Sequence, residues 1–209
     1  MPLHKIIHIN ENTTAYFWHI TEDVTSLFRA VSLRDTSLFR LEGMKSEEHQ
    51  RGFLAVRMLL QHLGYTDYDL TYDEAGKPHL SDGKHISISH SHEFSCICIS
   101  NKLMGIDLEK LKEKTLKIAP RFMEVKHLEN LSTLEQIEKS TVIWGVKESI
   151  FKIKNEKGIS FPEHIFEAEF DLKEGKCEAE LHFNNQIENF QIQFYNVEAY
   201  IFVCAFPKK

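Results

Sequence analysis

Two short segments of the sequence combine acidic and basic side chains in patterns that could bind a metal ion and a phosphate group. In "LMGIDLEK", the two-residue period of a strand points Asp107 and Glu109 to the same face. Carboxylates this close repel each other unless a cation lies between them, and hard oxygen ligands suit Mg²⁺. A solvated strand face is also commonly acidic, so this segment alone leaves both interpretations open.

The second segment, "WGVKESIFKIK" at residues 144–154, predicts a helix that gathers charged side chains. Trp144, Glu148 and Lys152 lie at i, i+4 and i+8, on one stripe of the helix. Taken alone, a Glu–Lys pair at this spacing is usually only a surface ion pair. If the helix packs beside the first segment, Glu148 adds a third carboxylate, and Lys147 and Lys152 offer ammonium groups to phosphates held through the metal.

Upstream segments contribute further polar groups. In "HISISHSH", alternation predicts a strand whose end presents Ser89 and His90, and "EAGKPH" predicts a turn that exposes Lys77. A histidine at a strand end is more often a hydrogen bonder than a catalyst. Neither a P-loop nor a Gly-x-Gly-x-x-Gly fingerprint is present, so a nucleotide here would be held by side chains and a metal.

The elements that would position these groups follow an order that occurs twice. Two opening strands precede a helix over 46–63, for which Ser46 is the predicted N-cap and Gly64 the stop. A Gly-containing turn and an apolar strand follow it. A second long helix, again followed by a Gly-containing turn, precedes strand-like stretches near 165–171, 177–183, 188–195 and 199–206. This repetition predicts a duplicated α+β architecture whose halves join near 100–102, with a ligand cleft between them.

Composition and charge exclude several classes of protein. The chain has 209 residues, a formal net charge of -6 and 42% hydrophobic residues, which is typical of a soluble globular protein and unlike one that coats nucleic acid. The longest apolar run, residues 199–206, is too short to span a membrane. The N-terminus has no signal-peptide pattern, and the four cysteines lie in apolar stretches, so we expect a cytoplasmic protein with reduced thiols.

Together, "GIDLE" and "WGVKESIFK" resemble the two signature motifs of the 4'-phosphopantetheinyl transferase superfamily, and "GKPHL" and "ISISHS" support the resemblance. The length resembles the double-length, surfactin-synthetase-activator type. This resemblance implies a monomer with a pseudo-two-fold duplicated α+β fold of two helix-plus-sheet halves. Residues 1–102 would supply coenzyme A phosphate and adenine contacts, and residues 103–209 would carry the metal site and catalytic helix.

The resemblance also implies an activity and a role for each site residue. The expected reaction is a Mg²⁺-dependent transfer of 4'-phosphopantetheine from coenzyme A to a serine of an apo acyl or peptidyl carrier protein, with release of 3',5'-ADP. The implied metal ligands are Asp107, Glu109 and Glu148. The implied catalytic residues are Asp107, Glu148, as ligand or general base, and Lys152, which would neutralise charge or protonate the leaving group. The implied contacts to coenzyme A are Arg51, Arg57, Lys77, Ser89, His90, Lys147 and Lys152.

Two other readings of the site remain open. A non-catalytic member of the same fold could bind a nucleotide or a carrier domain without chemistry. A metal-dependent phosphohydrolase is disfavoured because the Asp/His-rich pattern of a two-metal site is missing. For the transferase we expect the acidic carrier protein to dock on the basic segment after the metal strand, although a solvated helix face would look the same. Its basic residues are Lys110, Lys112, Lys114, Lys117, Arg121 and Lys126.

Overall fold

The computed structural model describes residues 3–208 and shows a mixed α/β protein, in agreement with the predicted class. The chain divides between Lys102 and Leu103 into two compact units. Within residues 3–208, no helix combines the length and the apolar character needed to cross a membrane.

The N-terminal unit packs a long helix on an antiparallel sheet. Its helices and strands are β1 (Leu3–Asn10), β2 (Thr13–His19), α1 (Val24–Ala30), α2 (Asp35–Glu42), α3 (Glu47–His62), β3 (Leu70–Tyr72), β4 (Pro78–Leu80), β5 (His85–Ser91) and β6 (Phe94–Ser100). The sheet has the strand order β1–β2–β6–β5, and β3 pairs separately with β4. Helix α3 packs on this sheet and buries Leu54, Leu59 and Leu60 in the core of the unit.

Helix α3 follows its sequence signals closely. The Ser46 hydroxyl accepts a hydrogen bond from the His49 amide (3.4 Å), which satisfies one of the amides that the first turn leaves without a helical partner. The helix ends at His62, so the predicted range of 46–63 is confirmed to within one residue at each end. The two short helices α1 and α2 were not predicted.

The C-terminal unit repeats the plan of a long helix on an antiparallel sheet. Its helices and strands are β7 (Gly105–Lys110), α4 (Glu113–Ile118), α5 (Thr133–Lys154), α6 (Phe161–His164), β8 (Ile165–Glu167), β9 (Lys176–Phe183), β10 (Gln186–Val197) and β11 (Tyr200–Pro207). The strand order is β7–β11–β10–β9–β8, and α5 packs against β7 and β11. The strand predicted near 165–171 is shorter than expected, because β8 ends at Glu167.

Helix α5 begins at a capping box in which the Ser132 side chain accepts from the Glu135 amide and the Glu135 carboxylate accepts from the Ser132 amide. It ends at Lys154, and its C-cap residue, Asn155, has a left-handed backbone with φ of 51°. The helix is therefore defined at both ends by local hydrogen bonding, and the charged stripe lies in its C-terminal half.

Two glycines allow α5 to lie very close to the sheet. A Cβ atom on Gly105 would lie 2.1 Å from the carbonyl oxygen of Ser149, and one on Gly145 would lie 2.5 Å from Cγ2 of Val203. The first contact is with α5 backbone, so the lack of a side chain at Gly105 permits the close approach of the helix. These glycines fix how near Glu148 and Lys152 come to β7.

Candidate active site

The predicted meeting of β7 and α5 is present in the structure. Lys152 reaches from α5 to β7, where its Nζ donates to Oδ1 of Asp107 (2.8 Å) and to the carbonyl of Ile106 (2.9 Å). The Asp107 side chain is 5% exposed and that of Lys152 is 30% exposed. The more exposed ammonium group of Lys152 therefore partly balances the charge of a buried carboxylate.

Electrostatic repulsion links Asp107 to the two other acidic residues. Burial raises the pKa of Glu109 to about 7, and the charges of Asp107 and Glu148 add to this effect while Lys152 opposes it. Burial also raises the pKa of Glu148, again with a contribution from Asp107 and against the effect of Lys152. The three carboxylates are thus close enough to perturb one another, as the sequence predicted from residues about forty positions apart.

Trp144 is the remaining member of the predicted stripe, and its role was not anticipated. Its indole N–H opposes the rise in the pKa of the Glu109 carboxyl, as the weakest of the influences on that group. Its ring lies edge-on to Phe122 and Phe161, with ring centroids 5.0 Å and 5.5 Å away. Because indole Nε1 is a donor only, its influence favours the ionised form of Glu109.

The carboxylate oxygens of Asp107, Glu109 and Glu148 are chemically suited to bind a hard divalent cation. Within residues 3–208, no group of three or more His, Cys, Asp or Glu side chains is already arranged as a metal site. Oxygen donors from three carboxylates are nevertheless the ligands that Mg²⁺ prefers, and a divalent cation would relieve the repulsion that raises the pKa values of Glu109 and Glu148. In the structure, the Lys152 ammonium supplies part of that compensation instead.

Lys147 does not lie where the resemblance implied, and this corrects the expectation that it contacts phosphate. The residue is 2% exposed, and its Nζ lies 2.8 Å from Oε2 of Glu167 and 2.5 Å from the carbonyl of Ile165. Adjacent residues on a helix differ in direction by about 100°. Lys147 consequently turns into the protein core, while Glu148 turns toward Asp107.

In the N-terminal unit, the predicted residues Ser89 and His90 lie near the end of β5. Ser89 is buried and His90 is exposed. Together with His49 and Gly52, His90 lines a cavity of about 220 Å³. A Cβ on Gly52 would lie 2.8 Å from Cδ2 of His90, so this glycine makes room for the imidazole ring. Gly52 therefore helps to shape this cavity, and the sequence analysis did not identify it.

The two arginines of α3 lie six residues apart and engage different neighbours. Arg57 also lines the 220 Å³ cavity, but its Nε lies 2.9 Å from Oδ1 of Asp67 and its guanidinium lies over the ring of Phe53. Arg51 donates from Nη2 to the carbonyl of Ile20 (2.8 Å). The charge of Arg57 is therefore already balanced within the unit, by an aspartate that the sequence analysis did not identify.

Lys77 lies in the turn between β3 and β4. Its amide donates to Oδ1 of Asp73 (2.8 Å), and its carbonyl accepts from the Asp73 amide (3.1 Å), which closes the turn as the Gly-Pro pattern predicted. The residue is half-buried, which corrects the expectation that the turn exposes it. The position of Lys77 is therefore set by a well-defined turn.

The basic segment that follows β7 is largely exposed. It runs through α4, which buries none of its residues, and two short 3₁₀ turns. Its exposed basic residues are Lys112, Lys114, Lys117, Arg121 and Lys126. Lys110 is half-buried, with Nζ 5.6 Å from the ring centroid of Tyr200, and Lys126 is paired with Glu124. The segment thus presents several cations at the surface of the C-terminal unit.

Sequence comparison identifies several similar proteins. The chain is 33% identical over 121 residues to the 4'-phosphopantetheinyl transferase gsp of Aneurinibacillus migulanus. This alignment covers 55% of the chain and 51% of the relative. It is 30% identical over 128 residues to the 4'-phosphopantetheinyl transferase Sfp of Bacillus subtilis (strain 168). This alignment covers 56% of the chain and 57% of the relative. A further match, to the 4'-phosphopantetheinyl transferase ffp of Bacillus subtilis, is 29% identical over 147 residues. This alignment covers 66% of the chain and 65% of the relative.

The matched region spans about half the length of the first two relatives. No family model matches the chain. The names of the relatives agree with one another, and they confirm the resemblance to the 4'-phosphopantetheinyl transferase superfamily that the two motifs predicted.

Proposed function

We propose, on the basis of this resemblance, that the chain transfers the 4'-phosphopantetheine group of coenzyme A to a serine of an apo acyl or peptidyl carrier protein. The serine Oγ forms a new bond to the phosphorus next to pantetheine. The bond from that phosphorus to the bridging oxygen of the pyrophosphate breaks, 3',5'-ADP leaves, and the serine proton passes to a base. The observation that carries the proposal is the arrangement of Asp107, Glu109 and Glu148 around Lys152.

In this proposal, residues on β7 and α5 do the chemistry. Asp107, Glu109 and Glu148 would hold Mg²⁺, which when bound neutralises the pyrophosphate charge and polarises the phosphorus. Glu148 either serves as a ligand only or also accepts the serine proton, and burial raises its pKa in the direction that a general base requires. Lys152 can move its ammonium group from Asp107 to the charge that develops on the leaving oxygen.

The N-terminal unit, residues 1–102, is proposed to contribute contacts to coenzyme A. His90 and Ser89 would contact its phosphates, and Lys77 and Arg51 its 3'-phosphate and adenine end. Arg57 is retained in this group as a residue that lines the same cavity as His90, with its charge already shared with Asp67. Lys147 is not retained.

The remaining expectations are proposals of the same kind. Residues 103–209 would carry the metal site and the catalytic helix. The two helix-plus-sheet units would be related by duplication, and the protein would act as a monomer in the cytoplasm. The carrier protein would dock on the exposed basic segment after β7, because the positive charge there complements an acidic partner.

The direct test is to incubate the protein with an apo carrier protein, coenzyme A and Mg²⁺, and to measure the intact mass of the carrier. Addition of one phosphopantetheine group is the expected result. Asp107→Ala and Glu148→Ala should each abolish the addition, while Glu163→Ala, at an exposed acid on α6, should leave it unchanged. A wild-type protein that binds coenzyme A and carrier protein but never modifies the carrier would instead support the non-catalytic binding alternative.

A further inference from the structure

The buried pair Lys147 and Glu167 has no part in the proposed transfer, yet it is among the most enclosed charges of the C-terminal unit. The two side chains are 2% and 4% exposed, and Nζ lies 2.8 Å from Oε2. Buried ion pairs are often no better for stability than apolar residues of similar size, because desolvation offsets the attraction. Stability alone therefore explains this pair poorly, and the backbone groups that it holds suggest another role.

Lys147 ties the middle of α5 to both ends of α6. Its Nζ donates to the carbonyl of Phe161 (3.4 Å), where α6 begins, and to the carbonyl of Ile165 (2.5 Å), where β8 begins. Glu167 supplies the negative charge that keeps the ammonium in place. Lys147 thus holds the short segment from Phe161 to Glu167 against α5, in addition to the contacts of the Phe161 ring with Trp144 and Phe151.

From this segment, direct contacts lead to the carboxylate of Glu109. The ring of Phe161 lies edge-on to Trp144, with centroids 5.5 Å apart, and Phe122 contacts the same indole with centroids 5.0 Å apart. The N–H of Trp144 in turn acts on the carboxyl of Glu109, whose pKa it lowers. Because two rings contact the indole, a shift of Phe161 would remove one of its two aromatic contacts.

We propose that Lys147 and Glu167 are positioning residues that fix the indole of Trp144 and, through it, the direction of the Glu109 carboxylate. The consequence for catalysis rests on the proposed function, because Glu109 is a proposed metal ligand. The positioning of Trp144 does not rest on it, and it can be measured in a protein that has no activity at all.

Fluorescence gives that measurement because the chain has two tryptophans, Trp18 and Trp144. Within residues 3–208, the indole Nε1 of Trp18 has no hydrogen-bond partner, so Trp18→Phe removes the second fluorophore without breaking a hydrogen bond. In this background, the test variant is Lys147→Met with Glu167→Met, which replaces the charges by flexible apolar side chains. The control is Lys154→Met with Glu188→Gln, which removes a half-buried ion pair, with Nζ and Oε1 2.6 Å apart, from the same helix.

In the test variant, we expect the acrylamide quenching constant of Trp144 to rise about twofold as the indole loosens, with a thermal unfolding midpoint close to that of the control. If the transfer assay is active, the Mg²⁺ concentration for half-maximal rate should rise roughly 10- to 100-fold, which is typical when the residues that orient metal ligands are removed. The control variant should change neither quantity.

Quenching and Mg²⁺ dependence that match the control in a folded test variant would overturn the proposal. If the double variant does not fold, Glu167→Gln decides the matter, since it keeps the shape of the side chain and removes its charge; unchanged quenching there would also overturn it. A wild-type protein without transferase activity would refute the proposed function but leave the fluorescence result to be read by itself.

Discussion

Replacement of Gly105 by alanine tests the close contact on which the candidate site depends. The new Cβ would lie 2.1 Å from the carbonyl oxygen of Ser149 and 2.9 Å from Cγ1 of Ile153. Ordinary contact begins near 3.4 Å, so α5 and β7 must separate by about 1.3 Å at this point. The obstructing oxygen belongs to helix backbone, which cannot move aside as a side-chain end can. We expect a loss of about 3 kcal/mol in the free energy of unfolding, the upper end for overpacking.

Gly145→Ala provides a graded comparison on the same helix. Its Cβ would meet a side chain, Cγ2 of Val203 at 2.5 Å, rather than backbone. Alanine also gains about 1 kcal/mol in helix propensity over glycine, which offsets part of the clash. We therefore expect a smaller loss, and Val203→Ala should relieve it, with a coupling energy of about 1 to 2 kcal/mol in a double-mutant cycle.

The measurement is urea unfolding followed by circular dichroism, with Gly43→Ala as control. Gly43 has φ of -72°, and a Cβ there would meet nothing closer than 3.5 Å, so alanine should be nearly neutral. The transfer assay adds a second readout, since a displacement of about 1 Å between reacting groups can cost 10²-fold in rate. A Gly105→Ala protein as stable and as active as Gly43→Ala would refute the close packing of α5 on β7.

Three further outcomes follow from the structure. Mg²⁺ should raise the thermal unfolding midpoint of the wild-type protein but not that of Asp107→Asn, because a ligand stabilises only the state that binds it. Differential scanning fluorimetry measures this midpoint. An equal shift in both proteins would mean that the ion binds elsewhere. Cys177, whose pKa burial raises to about 12, should resist iodoacetamide in the native protein at pH 8, since almost none of a thiol with so high a pKa is ionised there; intact mass before and after unfolding checks this. Charge reversal at Lys112 and Lys117 should raise the KM for the carrier protein more than that for coenzyme A, and equal changes in both would reject the docking segment.

Local sequence signals were sufficient to predict the features that depend on residues close together in the chain. Ser46 as an N-cap located α3, and alternation in β7 placed Asp107 and Glu109 on one side. The spacing of Trp144 and Glu148 on α5 placed them together, and their approach to Asp107 is what the structure shows. These features depend on hydrogen bonds and periodicities within a few residues, which a single sequence displays directly.

Features that depend on a distant partner were not accessible in the same way. Lys147 was expected beside phosphate because it stands next to Glu148, but its direction is decided by Glu167, twenty positions later, on a strand that was predicted too long. Likewise, nothing in the sequence around Arg57 indicates Asp67 as its partner. The short helices α1 and α2 carry too few turns to show a clear period, and packing against the rest of the unit determines them.

The adjacency of Lys147 and Glu148 has a mechanical consequence. Because a regular helix rotates as a rigid unit, any rotation of α5 that moved Glu148 outward would also move Lys147 away from Glu167 in the interior. Rotation of α5 at this point is therefore opposed by the buried ion pair of Lys147 and Glu167.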